Sequence, residues 1–312
     1  MKILFMGTPD FAAGILSSIV ENTGHEVVTV VTQPDRPKGR SSELVASPVK
    51  EYAQDHDIPV LQPAKIKEAS EVARLKGIDA DIYVVAAFGQ ILSKEILDIP
   101  KFGCINVHAS LLPEYRGAAP IQWAIADGKK VTGVTIQQMN EGVDTGDIIS
   151  SSEVEISDDE TGESLFDRLM EEGKTLIAAT LDMIENGSIS PIPQDESKAT
   201  YAKILKKEMG CIDFARSAQE IERTVRAFTP WPGGFTYLDG KMLKIKKCRA
   251  CGENDGDEPG TITHVSKDEI VVSCGSGSLG ISVVQPEGKK QMPVHDYLLG
   301  NPIRVGTKFT KR

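Results

Sequence analysis

The chain has 312 residues, 40% of them hydrophobic, and a formal net charge of −10. This length exceeds one typical core and predicts two domains, and the acidic balance argues against a generic nucleic-acid binder. No apolar run approaches the roughly 20 residues that a bilayer span needs, and nothing resembles a signal peptide, so we expect a cytoplasmic protein with no membrane partner.

Strand and helix patterns alternate over the first 188 residues. The apolar and β-branched runs predict strands at 2–6, 27–32, 60–61, 82–88, 104–108, 131–139 and 148–156. Helical spacing and capping residues predict helices at 10–21, 48–55, 118–126 and 163–185. Such alternation is typical of an α/β domain with a doubly wound, mostly parallel, Rossmann-like sheet, which we place at 1–188.

The pattern changes after residue 188. Residues 189–204 are rich in proline and polar residues and are predicted to be a linker. From 205 to 312, one helix at 218–227 and short strands separated by glycine turns predict a small, OB-like β-barrel. This part holds 17 basic and 13 acidic residues, a net charge of +4 against −14 for the rest. The asymmetry favours a local polyanion contact, although random variation between two domains explains it equally well.

The first strand-to-helix turn, Gly7-Thr8-Pro9-Asp10-Phe11, lacks the G-x-G-x-x-G fingerprint of dinucleotide binding. A nicotinamide-dependent oxidoreductase, the obvious rival for this fold class, is therefore disfavoured.

Polar residues follow two of the predicted strands. Asn106 and His108 are two residues apart and so share one face of a strand, at the end where ligands bind in open α/β sheets. Asp144 lies between Gly142 and Gly146, which allow a tight turn and close approach. Each feature also has a structural explanation, a hydrogen-bonded histidine for the first and a surface turn for the second.

In combination these segments resemble folate-dependent formyltransferases. The motifs that carry the resemblance occur in order as Asn106-x-His108, Ser110-Leu111-Leu112-Pro113, Arg116-Gly-Ala-Ala-Pro-Ile121 and Gly142-Val-Asp-Thr-Gly-Asp147. Three flanking segments are similar to the insertion, linker and C-terminal domain of the methionyl-tRNA formyltransferases: 32–40, 199–202 and 229–234.

This resemblance implies transfer of the formyl group of 10-formyltetrahydrofolate, a co-substrate, to the methionine α-amine of initiator methionyl-tRNA. A sugar amine or a purine precursor is the alternative acceptor, and a non-catalytic RNA- or folate-binding module is a rival of another class. In acyl transfer an oxyanion develops on the attacked carbonyl. We expect Asn106 and His108 to stabilise that charge, with Asp144 orienting the imidazole.

The binding residues follow from the same resemblance. The loop Ser110, Leu111, Leu112 and Pro113 is expected to bind the folate pterin, with Phe88 and Gly89 across the pocket. For Ile91 and Leu92 we expect core packing instead. The resemblance also indicates Arg40 as a tRNA contact, while the crowding of basic residues on one predicted strand pair separately indicates Lys244, Lys246 and Lys247. Alternation along a strand would put Lys244 and Lys246 on one face, and Lys247 with Arg249 on the other.

The five cysteines form an odd, scattered set, which predicts reduced thiols. Cys248 and Cys251 make one C-x-x-C pair, but a zinc site needs two more ligands, and we expect no metal. Cys104 is expected to fill the core rather than to act as a nucleophile. The family likeness suggests a monomer.

Overall fold

The computed structural model describes residues 1–37, 44–252 and 256–311. The chain divides into two compact units. The first comprises Met1–Pro120, Val131–Glu155 and Phe166–Ala202, and the second comprises Ile121–Lys130, Ile156–Leu165 and Lys203–Arg312. Among the described residues no helix combines the length and apolar character that crossing a bilayer requires.

The strands of the first unit are β1 (Lys2–Gly7), β2 (Glu26–Val31), β3 (Arg36–Pro37), β4 (Leu44–Val45), β5 (Val60–Leu61), β6 (Ile82–Ala86), β7 (Cys104–His108), β8 (Arg116–Gly117), β9 (Val131–Gln138), β10 (Ile148–Glu155) and β11 (Tyr201–Ala202). The α-helices in the part of the chain that the structure describes are α1 (Asp10–Asn22), α2 (Pro48–Asp55), α3 (Ala69–Lys76), α4 (Lys94–Leu97), α5 (Pro120–Ala126), α6 (Gly162–Glu185), α7 (Ala218–Ala227) and α8 (Val294–Gly300). Sequence patterns missed α3, α4 and α8, which are short.

Seven strands form the main sheet of the first unit, in the order β10-β9-β7-β6-β1-β2-β5. Neighbours from β5 to β7 are parallel, while β9 runs antiparallel to both β7 and β10. Strands β1 and β6 are buried almost throughout, as their continuous apolar runs require in a sheet covered on both faces. The predicted mostly parallel α/β sheet is confirmed.

The apolar stripe of α6 differs from the one that the sequence suggested. The apolar spacing of the sequence places Leu165, Leu169, Leu176, Ala179 and Met183 on one side. Leu165 and Leu169 are buried as predicted, but Ala179 and Met183 are exposed, and Ile177, Leu181 and Ile184 are buried in their place. Gly173 lies in the middle of this stripe, where an added Cβ would come within 2.9 Å of Ile15 Cδ1. A glycine carries no apolar side chain, so the pattern hid the true phase of the helix.

The second unit is built on an antiparallel sheet. Its strands are β12 (Gly234–Leu238), β13 (Lys241–Cys251), β14 (Ile262–Val265), β15 (Ile270–Ser273), β16 (Ser278–Pro286) and β17 (Met292–Pro293). The order is β12-β13-β16-β15-β14, with β17 added to β16. The turn between β12 and β13 is Asp239-Gly240, both at positive φ, as a two-residue hairpin requires.

The end of the chain joins the two edges of this sheet. Thr310 forms a bridge with Tyr237 of β12, and Lys308 forms one with Thr261, next to β14. Ile262, Val272, Leu279 and other apolar side chains are fully buried between the strands and α7. Closing the edges removes unpaired backbone groups, which fits the predicted small barrel.

Candidate active site

Asn106, His108 and Asp144 converge at one edge of the main sheet. Asn106 and His108 lie at the end of β7, and Asp144 lies in the loop that follows β9. The Asn106 Nδ2 donates to Asp144 Oδ1 at 3.3 Å. His108 Nδ1 lies 3.6 Å from Asp144 Oδ2. Two strands that pair antiparallel in the sheet therefore bring together side chains that are 36 and 38 residues apart in sequence.

Both oxygens of the Asp144 carboxylate accept further hydrogen bonds. Gln137 Nε2 donates to Oδ1 at 2.9 Å, and the backbone N–H of Gly117 donates to Oδ2 at 2.8 Å. The side chain is only 15% exposed. Asp144 adopts the left-handed backbone conformation, with φ of 53°. Non-glycine residues rarely do so, and where they do the surrounding structure has to hold them there.

The His108 ring is fixed from its other side. Its Nε2 lies 2.9 Å from the carbonyl oxygen of Tyr115, which can only accept, so Nε2 carries a hydrogen. The separation of Nδ1 from Asp144 exceeds the 2.7–3.2 Å typical of an N–H···O bond. When the ring is protonated, its Nδ1–H therefore remains available to a ligand oxygen.

The glycines beside Asp144 serve close approach, as expected from the sequence. An added Cβ on Gly146 would lie 1.7 Å from the carbonyl oxygen of Gln138, and one on Gly142 would lie 2.1 Å from Thr145 Oγ1. No side chain fits at either position without moving the loop.

The loop expected to bind folate is held largely by its own contacts. Ser110 is fully buried, and its Oγ donates to the carbonyl of Glu114 at 2.7 Å. Leu112 is buried, while Leu111 and Pro113 are half-buried. Thr135 Oγ1 accepts from Leu112 N and donates to the Ser110 carbonyl, which ties the loop to β9.

Across from this loop, residues 87–91 leave β6 in an irregular turn. Phe88 is buried among core side chains, and its carbonyl accepts from Thr8 Oγ1 and Gln33 Nε2. Gly89 is exposed with φ of 82°. The expected core packing is confirmed for Leu92 but is wrong for Ile91, which is 61% exposed. Ile91 therefore presents an exposed apolar side chain beside the Gly89 turn.

The predicted tRNA contacts lie in the second unit, apart from Arg40, which is outside the described residues. Lys244 and Lys246 are half-buried on β13, and Lys247 is exposed. Lys244 and Lys246 share a face, as expected, but the opposite face expected for Lys247 is wrong, because the register shifts around Lys247. Ile245 and Cys248 both contact the core although they are three positions apart. Lys246 and Lys247, which lie between them, therefore both face away from the core.

Two residues of the site were missed by sequence reasoning. Gln137 is a polar residue in a buried strand, which is a usable signal, and it contacts Asp144 directly. Gln194 lies in the predicted linker, and nothing in its surroundings distinguished it.

The cysteines are all free thiols. Burial raises the pKa of Cys104, Cys248 and Cys274 to about 12, which keeps them protonated near neutral pH. One group with metal-type ligands lies near the start of the chain: His25, Asp182 and Glu185 have ligand atoms within 4.8 Å of one another. The amine of Met1 already pairs with Glu185 there, at 2.9 Å.

Comparison with known proteins assigns the chain to a class. Residues 1–181 match the profile of the family described as formyl transferase, and residues 204–302 match its C-terminal domain. A solved sugar 3N-formyl transferase, WlaRD, shares the fold with a TM-score of 0.69 at 21% identity, covering 93% of this chain and 99% of that one. The chain belongs to the formyltransferase family.

Relatives that match over nearly their whole length show to which group within the formyltransferase family the chain belongs. The methionyl-tRNA formyltransferase of Agathobacter rectalis is 50% identical over 310 residues, which is 99% of this chain and 100% of the relative. That of Lachnospira eligens is 49% identical over 311 residues, 98% of each chain. Within the family, the chain therefore belongs with the methionyl-tRNA formyltransferases.

Proposed function

We propose that this protein transfers the formyl group of 10-formyltetrahydrofolate to the α-amine of initiator methionyl-tRNA. The convergence of Asn106, His108 and Asp144 supports this reaction, since it places an amide, an imidazole and a carboxylate together at a sheet edge. Residues 1–188 form the catalytic part, 189–204 the linker and 205–312 the tRNA-binding part in this proposal.

Asn106 is the principal oxyanion donor. Its amide has two N–H bonds and gives one to Asp144, which leaves the other for the formyl oxygen. Protonated His108 is the second donor, through Nδ1–H. Donors that are already aimed stabilise the charge that develops in the transition state without reorganising.

Asp144 handles the proton of the nucleophile. The neutral amine attacks the formyl carbon, and its nitrogen becomes cationic as the carbonyl oxygen becomes anionic. The carboxylate accepts one proton from that nitrogen, directly or through water. When the tetrahedral intermediate collapses, the bond to N10 of the folate breaks and that nitrogen takes up the proton. An unperturbed α-amine has a pKa of about 8, so a strong base is not needed near neutral pH.

Folate is bound between two loops in this proposal. The Ser110, Leu111, Leu112 and Pro113 loop lies on one side, and Phe88 and Gly89 lie on the other, with Ile91 adding exposed apolar surface. The tRNA is held by Arg40 and by Lys244, Lys246 and Lys247, three lysines that carry no ion pair among the described residues.

Mass spectrometry of the acceptor tests the proposal. The protein is incubated with 10-formyltetrahydrofolate and either methionyl-tRNA, an aminosugar nucleotide or glycinamide ribonucleotide. We expect a formyl mass increase on methionyl-tRNA alone, formed more slowly by Asp144→Asn. Formylation of either other amine with no reaction on methionyl-tRNA would overturn the acceptor, and no formylation of any amine would overturn the activity.

A further inference from the structure

We propose that Gln194 is a positioning residue for the active site, acting by holding the backbone of the Asp144 loop. The inference rests on the proposed function, because it assumes that Asp144 takes part in the reaction. Gln194 belongs to the segment expected to be only a linker. Residues 191–193 and 195–198 are exposed, whereas Gln194 between them is half-buried.

The side-chain amide of Gln194 spans the Asp144 loop. Its Nε2 donates to the carbonyl oxygen of Asp144 at 2.9 Å and to that of Gly146 at 2.7 Å. Both N–H bonds of the amide are therefore used, and they hold two carbonyls on either side of Thr145. Few residues outside the loop are placed to fix its backbone so directly.

The loop needs such support because its conformation is unfavourable by itself. Asp144 has φ of 53°, and Gly146 approaches the Gln138 carbonyl so closely that an added Cβ would lie 1.7 Å from it. Gln137 Oε1 also accepts from the Gly146 N–H at 3.1 Å, but the Asp144 and Gly146 carbonyls are held by Gln194, and losing those two hydrogen bonds lets the Asp144 backbone move towards a commoner conformation. That change would carry the carboxylate away from Asn106 and His108.

Arg116 fixes the direction of the Gln194 amide. Its Nε and Nη2 donate to Gln194 Oε1 at 3.1 and 2.8 Å, so the oxygen faces the guanidinium and the Nε2 faces the loop. Arg116 is fully buried. Glu196 compensates its charge with two hydrogen bonds at 2.9 and 2.7 Å, which raise the pKa of the guanidinium further.

The segment is held at both ends, so Gln194 has little freedom to move. Ile192 pairs with Ile148 through two backbone hydrogen bonds of 2.8 Å. Tyr201 in β11 pairs with Arg116 in β8. Glu196, Arg116, Gln194 and the Asp144 loop thus form one continuous set of contacts inside the first unit.

The near-isosteric change Gln194→Glu tests this role. The carboxylate keeps an acceptor for Arg116 but loses both donors and faces two carbonyls instead. We expect the single-turnover rate of formyl transfer to fall about 10–100-fold, as for a small misplacement of a catalytic group. The KM for both substrates should stay within about threefold of wild type, with an unchanged Tm. Gln54→Glu, at an exposed position of α2, is the matched control and should behave as wild type.

A double-mutant cycle shows whether Gln194 acts through Asp144. In the Asp144→Asn background, Gln194→Glu should cause little further loss. The positioning role would be overturned if Gln194→Glu had a normal rate, or if it reduced the rate by the same factor in the wild-type and Asp144→Asn backgrounds. Either result would leave the proposed function intact. A normal rate for Asp144→Asn would overturn the proposed site itself, and this inference with it.

Discussion

The proposed catalytic groups of the first unit and the proposed RNA contacts of the second are held in opposite ways. His108 and Asp144 are 7% and 15% exposed; one hydrogen bond to the Tyr115 carbonyl fixes the His108 ring, and several fix the Asp144 carboxylate. Lys244, Lys246 and Lys247 are half-buried or exposed on an outward side of β13, without ion-pair partners among the described residues.

This difference in burial and hydrogen bonding suits the two proposed roles, catalysis in the first unit and RNA binding in the second. Stabilising charge in a transition state requires dipoles that are already aligned in a site with little water. Attracting a polyanion requires only charge at the surface, and screening by salt then weakens the interaction. Changes at the first site should therefore alter the rate, and changes at the second should alter affinity and its salt dependence.

The largest effect should come from Asn106→Ala. Losing one oxyanion donor typically costs about 10²–10³-fold in rate. We expect a loss of this size in single-turnover formylation of methionyl-tRNA, with nearly unchanged affinity for both substrates. Asn186→Ala, at an exposed position after α6, is the control. Normal turnover of the Asn106→Ala enzyme would contradict the oxyanion role of Asn106. It would also contradict the expectation that changes at the first site alter the rate.

A smaller effect should follow from replacing Lys244, Lys246 and Lys247 together by alanine. For every phosphate that a lysine no longer neutralises, the slope of log affinity against log salt becomes shallower by about 1. We expect weaker tRNA binding at low salt and a flatter salt dependence, with the rate at saturating tRNA unchanged. Filter binding over a salt series measures this.

The matched control removes the same charge elsewhere in the second unit. Lys267, Lys289 and Lys290 are exposed in turns between strands. If their triple alanine variant bound tRNA as weakly, net charge rather than the β13 surface would account for the binding.

A stability effect of about 0.3–1 kcal/mol is expected for Glu220→Gln, which can keep the capping box of α7 with Ser217 but removes the negative charge at the helix N-terminus. Hydrogen bonds from Ser217 lower the pKa of Glu220 to about 2. Its contribution should be fully present above pH 4.5 and lost as the pH falls towards 2. Urea unfolding of the two proteins at about pH 7 and pH 3 measures it, with Glu287→Gln as a control in an exposed turn.

We expect no alkylation of Cys104 in the folded protein, although it lies two residues before Asn106. Its thiol is buried, and burial raises its pKa to about 12. Iodoacetamide at about pH 8 should leave it unmodified in the folded protein and label it in urea. Labelling of Cys104 with parallel loss of activity would mean that the site is more open than its burial indicates.

Much of the fold could be predicted because periodicity and capping are local. The strand at 104–108 and the helix at 218–227 agree with the structure residue for residue. The phase of the second half of α6 was wrong because Gly173 occupies its buried stripe, and the face expected for Lys247 on β13 was wrong because of the bulge around that residue. Both errors depend on packing against other elements, which a sequence pattern does not contain.

The residues of the candidate site likewise divide into those that the sequence indicated and those that it did not. Asn106, His108 and Asp144 stood out because their residue types interrupt apolar strands or lie between glycines. Gln194 did not stand out, and Arg116 did so only as part of a family motif, because the roles of both come from the groups that surround them. A glutamine in an exposed proline-rich stretch has no local signal, and only the pairing of Ile192 with β10 places it against the Asp144 loop.

The sequence alone determined the classes of element and the chemical groups proposed for formyl transfer, since these depend on residue type and local spacing. Tertiary structure decided which of those groups meet. The antiparallel pairing of β7 with β9 brings Asp144 to Asn106, and hydrogen bonds between residues up to 78 positions apart hold Arg116 and Gln194 beside it. Hydrogen bonds of this kind act over about 3 Å in space, whatever the separation along the chain.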